Sequence, residues 1–114
     1  MNKNKNKSYS VNKGFYGYVE RLQQYATKGE NIVINTHSNH FMNFHLHDFY
    51  EINYIYKGEC DNLFEHGTIH MTEGDFIIIS PDAMHSLFVD DTSLVYNFLI
   101  SKSFLHNLFN KITD

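Results

Sequence analysis

Tryptophan is absent from this 114-residue chain, and cysteine, proline and arginine each occur once, as Cys60, Pro81 and Arg21. Each scarcity removes a class of protein. A single cysteine excludes an internal disulfide framework and a cluster of thiolate ligands, and it suits a reducing compartment. Cys60 itself reads as a part-buried strand residue. A single proline argues against a proline-rich linker or an open, disordered chain. The formal net charge is -4, and three of the lysines (Lys3, Lys5, Lys7) sit in the first seven residues. The basic face that nucleic-acid binders carry is therefore missing. No apolar run is long enough to span a bilayer, and none at the start has signal-peptide length. The expectation is a soluble, cytoplasmic protein with no membrane contact.

What is present is apolar bulk in short alternating runs. Hydrophobic residues make up 42% of the chain and aromatics 16%, enough for the core of one domain. Residues 1–14 are mostly polar and repetitive, and read as a flexible tail. Over 15–30, Phe15, Tyr18, Val19, Leu22 and Tyr25 fall at roughly helical spacing, with Glu20, Arg21, Gln23 and Gln24 opposite. This predicts a short helix or an arm, closed by Gly29.

From Asn31 the period changes to two. Runs at 32–34, 41–47, 50–56, 59–64, 68–71, 76–80, 85–89 and 94–100 read as strands, with Asn35 to Asn39 as a polar connection. Glycine or acidic turns separate most of them, and no helix long enough for a parallel crossover intervenes. The pattern predicts an all-β antiparallel barrel or jelly roll over 31–100. Residues 101–114 change character again. Ser101-Lys102-Ser103 can cap a helix, and Phe104, Leu105, Leu108, Phe109 and Ile112 form one apolar stripe. Such a stripe needs a partner surface.

The chemistry gathers on histidine. His45 and His47 are two apart on one strand and so share a face, with Asn43 by the same alternation. Glu51 follows beyond a bend at Asp48-Phe49, and His85 opens a later strand just past Pro81. Asn53 shares parity with Glu51. Three imidazoles and a carboxylate meeting at one point suit a divalent ion such as zinc, nickel, manganese, iron or copper. The same residues can instead line a metal-free polar pocket. The spacing is wrong for a helical zinc-protease motif. His37 and His40 read as surface polars, His106 as solvated, and no role attaches to His66 or His70.

The run from His45 through His47 and Glu51 to Gly58 resembles the first motif of the cupin superfamily. Asn39 stands where that motif's leading glycine would be. The fragment Pro81-Asp82-Ala83-Met84-His85 is shorter than its enzymatic counterpart and lacks its glycine. Phe44 to Gly58, Glu73 to Pro81 with His85, the strand around Tyr96 and the Ser103-Phe104-Leu105 helix start are similar to the N-terminal sensor domain of AraC-type transcriptional regulators, over roughly Ile32 to the end. The resemblance implies a cupin barrel over 31–100 that binds a small effector, often a sugar, at His45, His47, Glu51, Asn53 and His85. It implies no catalytic residues and no required cofactor. It also implies homodimer pairing through the C-terminal helix, and DNA contact only through a helix-turn-helix half that this chain does not contain. The alternative is a metal-dependent cupin enzyme of the dioxygenase or sugar isomerase type, with His45, His47, Glu51 and His85 as ligands. A stand-alone carbohydrate-binding or scaffold protein is a third reading.

Overall fold

A computed structural model describes residues 18–113. The tail expected over 1–14, the start of the arm and Asp114 lie outside the described residues. Nine strands run in order: β1 Tyr18–Glu20, β2 Ile32–His37, β3 His40–His47, β4 Phe49–Lys57, β5 Glu59–Phe64, β6 Gly67–Thr72, β7 Phe76–Ile79, β8 His85–Val89 and β9 Leu94–Ser101. One helix follows, α1 Lys102–Thr113. One sheet has the order β1-β3-β8-β5-β6 and the other β2-β9-β4-β7. Every pair is antiparallel except β1 with β3. This is a two-sheet jelly-roll fold.

Two expectations of secondary structure need correcting. The helical spacing over 15–30 resolves, in its described part, into strand β1 and a single 3-10 turn, Leu22–Gln24. Pairing of β1 with β3 and burial of Leu22 against Phe49 and Leu99 outweigh the weak local helical pattern. The polar residues Asn35 to His37 are not a connection. They complete β2, because each pairs across to β9 and only Ser38 and Asn39 turn the chain. Asn39 has φ 51, a left-handed conformation that asparagine adopts more readily than most residues. That accounts for an asparagine where the resembled motif has glycine.

The interior is layered. Along β4 the inward residues are Phe49, Glu51, Asn53 and Ile55; along β9 they are Val95, Asn97 and Leu99, and all are buried. One apolar cluster gathers Ile55, Cys60, Met71, Leu87, Val89 and Val95, and a second gathers Leu22, Phe49 and Leu99. A polar layer of Glu51, Asn53, Asn62, Asn97 and histidines lies between them. The apolar layers supply the burial energy, and the polar layer must satisfy itself by hydrogen bonding.

A bulge sets the position of the site. Met42 pairs with Leu87 and His45 with His85, so three steps on β3 oppose two on β8. The alternation therefore inverts between Met42 and His45. Met42 packs on the interior cluster, while Asn43 is exposed and does not share the face of His45. The expectation that placed Asn43 beside His45 is corrected by this inserted residue.

Gly58 turns β4 into β5 at φ +79. A Cβ there would fall 2.8 Å from Ser93 Cβ and 2.9 Å from Ser93 Cα. Ser93 Oγ in turn accepts the Glu59 amide at 2.9 Å. Gly58→Ala is expected to lower unfolding free energy by about 3 kcal/mol, read as a lower urea midpoint, from left-handed strain plus overlap. An unchanged midpoint would contradict this packing.

Candidate functional site

His45 and His47 come from β3, His85 from β8 and Glu51 from β4, so the two sheets meet at this cluster. Asp48 is the one residue between β3 and β4, where the chain passes from one sheet to the other. Its side chain accepts the Leu22 amide at 2.8 Å and its own amide donates to Glu20 O at 3.0 Å, which ties the arm to the corner. One donor atom from each of the four site residues lies within 4.8 Å of the others, and all four are buried.

Each histidine is fixed twice. His45 Nδ1 lies 2.7 Å from Asn43 O, the carbonyl turned by the bulge. His47 Nδ1 lies 2.6 Å from Phe49 O, and His85 Nδ1 lies 2.9 Å from Asn62 Oδ1. These acceptors place the proton on Nδ1 and leave Nε2 with a bare lone pair. Each ring also stacks on an aromatic: Tyr18 on His45, Phe49 on His47 and Phe64 on His85.

The bare nitrogens point at a carboxylate. His47 Nε2 lies 3.3 Å and His85 Nε2 3.5 Å from Glu51 Oε1, and neither nitrogen has a hydrogen-bond partner. Lone pairs facing a carboxylate oxygen in a dry interior repel unless a positive charge lies between them. A proton on an imidazole or a bound metal ion supplies that charge. The donor chemistry, three imidazole nitrogens and one oxygen, fits a divalent transition metal, and anchored Nδ1 protons are the usual second layer of such sites.

Of the four residues, His45 and Glu51 line a cavity of about 30 Å³. Glu20 and Tyr25 from the arm, His37 and Asn35 from β2, and Asn97 from β9 form its other polar walls. Among the described residues no lysine or arginine lines it, although it borders two carboxylates. The volume suits water-sized occupants and is far below that of pockets holding drug-sized molecules.

The remaining site residues fall differently from the sequence reading. Asn53 does not line the cavity. It is fully buried behind it, donating to Glu51 Oε2 at 2.8 Å and to Asn97 Oδ1 at 2.7 Å. Asn62 and Asn97 were missed. Their signal is an amide at an inward strand position among apolar neighbours, Asn97 between Val95 and Leu99. His37 and His40 are not plain surface residues: both are half-buried, and their rings stack at 4.3 Å.

Burial pushes the Glu51 carboxyl up. Positive charge on His85 and His47, present only when an Nε2 takes up a proton, together with the Asn53 bond outweighs it and holds the group down at about 2. Burial, reinforced by charge from His85, holds His45 down at about 4, and burial with charge from His40 does the same for His37. Burial, with charge from Asp61 and Glu51, pushes the Cys60 thiol up to about 12, so it stays protonated near neutral pH.

The fold and the cluster together define a cupin-type domain. Solved structures agree on the fold. A cupin superfamily protein from Desulfitobacterium hafniense matches with TM-score 0.58 at 10% identity, covering 67% of this chain and 72% of its own. KdgF from Halomonas sp. matches with TM-score 0.55 at 17% identity, over 63% of this chain and 71% of that one. The DMSP lyase DddQ from Ruegeria pomeroyi matches with TM-score 0.53 at 19% identity, over 63% of this chain and 39% of that one. No curated protein sequence matches. The profile of the AraC-like ligand binding domain matches residues 28–113, most of the chain, and the protein belongs to that family. It is a ligand-binding regulatory domain, and its family implies transcription regulation. Among the described residues no helix is long and apolar enough to cross a membrane.

The lowered histidines predict an acid response of metal-free protein. An unfolded histidine takes up its proton near 6.5, whereas folded His37 and His45 do so near 4. The unfolded state thus binds more protons in that window, and stability falls as pH drops through it. Glu51 adds a loss in the same direction as pH falls from 4.5 toward 2. The urea midpoint of chelator-treated protein is expected to be lower at pH 5 than at pH 7, and His37→Gln to flatten the slope. A midpoint independent of pH over that range would contradict the buried, neutral imidazoles.

Proposed function

We propose that this domain binds a small oxygen-rich effector, a sugar or similar molecule, beside a divalent transition-metal ion held by His45, His47, Glu51 and His85, and reports occupancy without catalysing a reaction. One observation carries the reading: the Nε2 atoms of His47 and His85, whose rings meet acceptors at Nδ1, both aim at one buried carboxylate oxygen. Zinc, nickel, manganese or iron suits that donor set. When bound, the ion would act as a Lewis acid toward an oxygen of the effector.

The chain's own residues do the rest. Asn97, Asn35 and His37 offer polar contacts on the cavity wall, and Phe49 and Leu99 an apolar one. A sugar-sized molecule needs more room than the cavity gives. Its entry displaces the arm, which contributes Glu20 and Tyr25 and is held by a three-residue strand pairing and Leu22. An effector shifts the arm only by its difference in affinity for the two arrangements. The alternative, a metal-dependent cupin enzyme of dioxygenase or sugar isomerase type, would use the same four ligands. Family membership and the small cavity favour the regulatory reading.

Elemental analysis of untagged protein is expected to find close to one equivalent of transition metal. His85→Ala and Glu51→Ala are each expected to lower it below about a tenth of an equivalent and to weaken effector binding at least about tenfold. Wild-type protein with less than a tenth of an equivalent after supply of metal would remove the ion from the account. Effector binding unchanged in both variants would remove the pocket.

Pairing of two copies through α1 belongs to the same reading. Phe104, Leu108, Phe109 and Ile112 are exposed along one side of the helix, Ile112 at 68%. Such a stripe is stabilised by burial against a like surface. Sedimentation at tens of micromolar is expected to show a dimer that Phe109→Asp with Ile112→Asp converts to monomer. A monomeric wild type would contradict it.

A further inference from the structure

Three buried asparagines link the site to the cavity wall. Asn62 lies on β5, Asn53 on β4 and Asn97 on β9, and all are buried. Asn53 and Asn97 face each other in strand register, and Asn62 reaches them from the opposite sheet. No apolar core requires these amides, and each costs desolvation unless its bonds are made. Side-chain amides also have two ends that look alike in shape, so something must set their direction.

Glu51 sets it. An ionised carboxylate only accepts, so the Asn53 end that meets Glu51 Oε2 at 2.8 Å must be the NH2. That same NH2 lies 2.7 Å from Asn97, so Asn97 must turn its oxygen inward. The Asn97 NH2 then faces His37 Nε2 at 3.4 Å, and that nitrogen must be an acceptor. On the other branch Asn53 Oδ1 must receive the Asn62 NH2, at 3.1 Å. Asn62 Oδ1 is then the group that meets His85 Nδ1 at 2.9 Å, so His85 must carry its proton there and leave Nε2 bare. No link can reverse alone without setting donor against donor or acceptor against acceptor.

We propose that Asn62, Asn53 and Asn97 form a one-directional amide relay, oriented by Glu51, that positions His85 with its Nε2 lone pair toward the site and holds His37 at the cavity wall as an acceptor. The three asparagines are positioning residues, and the relay makes the states of His37 and His85 interdependent. Its consequence for binding rests on the reading of the four-residue cluster as a cation site. The relay itself does not need the ion to be present.

Long-range nitrogen–proton spectra of the histidine rings, taken on 15N-labelled, chelator-treated protein at pH 7.5, read the tautomers directly. A zinc competition titration is run in parallel. Wild-type His85 and His37 are both expected as the Nδ1–H form. Asn53→Leu touches neither ring, yet it is expected to turn both into tautomer mixtures and to weaken zinc binding by about 10–100-fold. Asn97→Val is expected to release His37 and leave His85 unchanged. A wild-type His85 that carries no proton on Nδ1 overturns the relay, as does a folded Asn53→Leu with both rings unaltered. If Asn53→Leu does not fold, the wild-type tautomers and Asn97→Val decide. Tautomers as expected with no zinc bound would keep the relay and reject the cation site; zinc binding with the tautomers wrong would do the reverse.

Discussion

A carboxylate sealed inside a β-sandwich is the constraint on which the rest of this structure depends. Glu51 is 4% exposed and cannot be left without donors or positive charge. Asn53 satisfies one oxygen; the other faces the Nε2 atoms of His47 and His85. The surroundings follow from that need. The β3 bulge frees a carbonyl for His45, the Phe49 carbonyl holds His47, and Asn62 holds His85. Aromatic rings from three different strands then lock the imidazole planes.

The layering makes such a site tolerable. Apolar clusters on both sides provide the burial that drives folding, so the polar layer need only avoid a net loss. It does so by closing on itself, since nearly every amide and imidazole in it has a named partner. Among the described residues, the Nε2 atoms of His47 and His85 and the Oδ1 of Asn35 are exceptions, and an unsatisfied group in a native interior calls for an explanation. The arm closes the same space from outside, through Tyr18 on His45 and Leu22 beside Phe49. Site and arm are thus in direct contact.

Much of this was legible in the chain because it depends on period and spacing. Alternation marked eight of the nine strands, and the capping serine marked α1, where Ser101 Oγ accepts the Phe104 amide at 3.2 Å. His45, His47, Glu51 and His85 were legible as a group, and the fold brings all four together. What was hidden depends on pairing between distant strands. Nothing local announces the bulge that removes Asn43 from the face of His45. The short β1 exists only because β3 offers it an edge. Asn62 and Asn97 look like ordinary strand polars until the register sets them beside Asn53. His37 and His40 looked solvent-facing because the strand that turns them inward was read as a connection.

The cation proposed for His45, His47, Glu51 and His85 is tested most directly at its nearest atoms. X-ray absorption of zinc-loaded protein in solution reads the nearest atoms around the ion. The account predicts three imidazole nitrogens and at least one oxygen at about 2.0–2.2 Å, with no sulfur. A shell containing sulfur from Cys60, or fewer than two imidazoles, would contradict it.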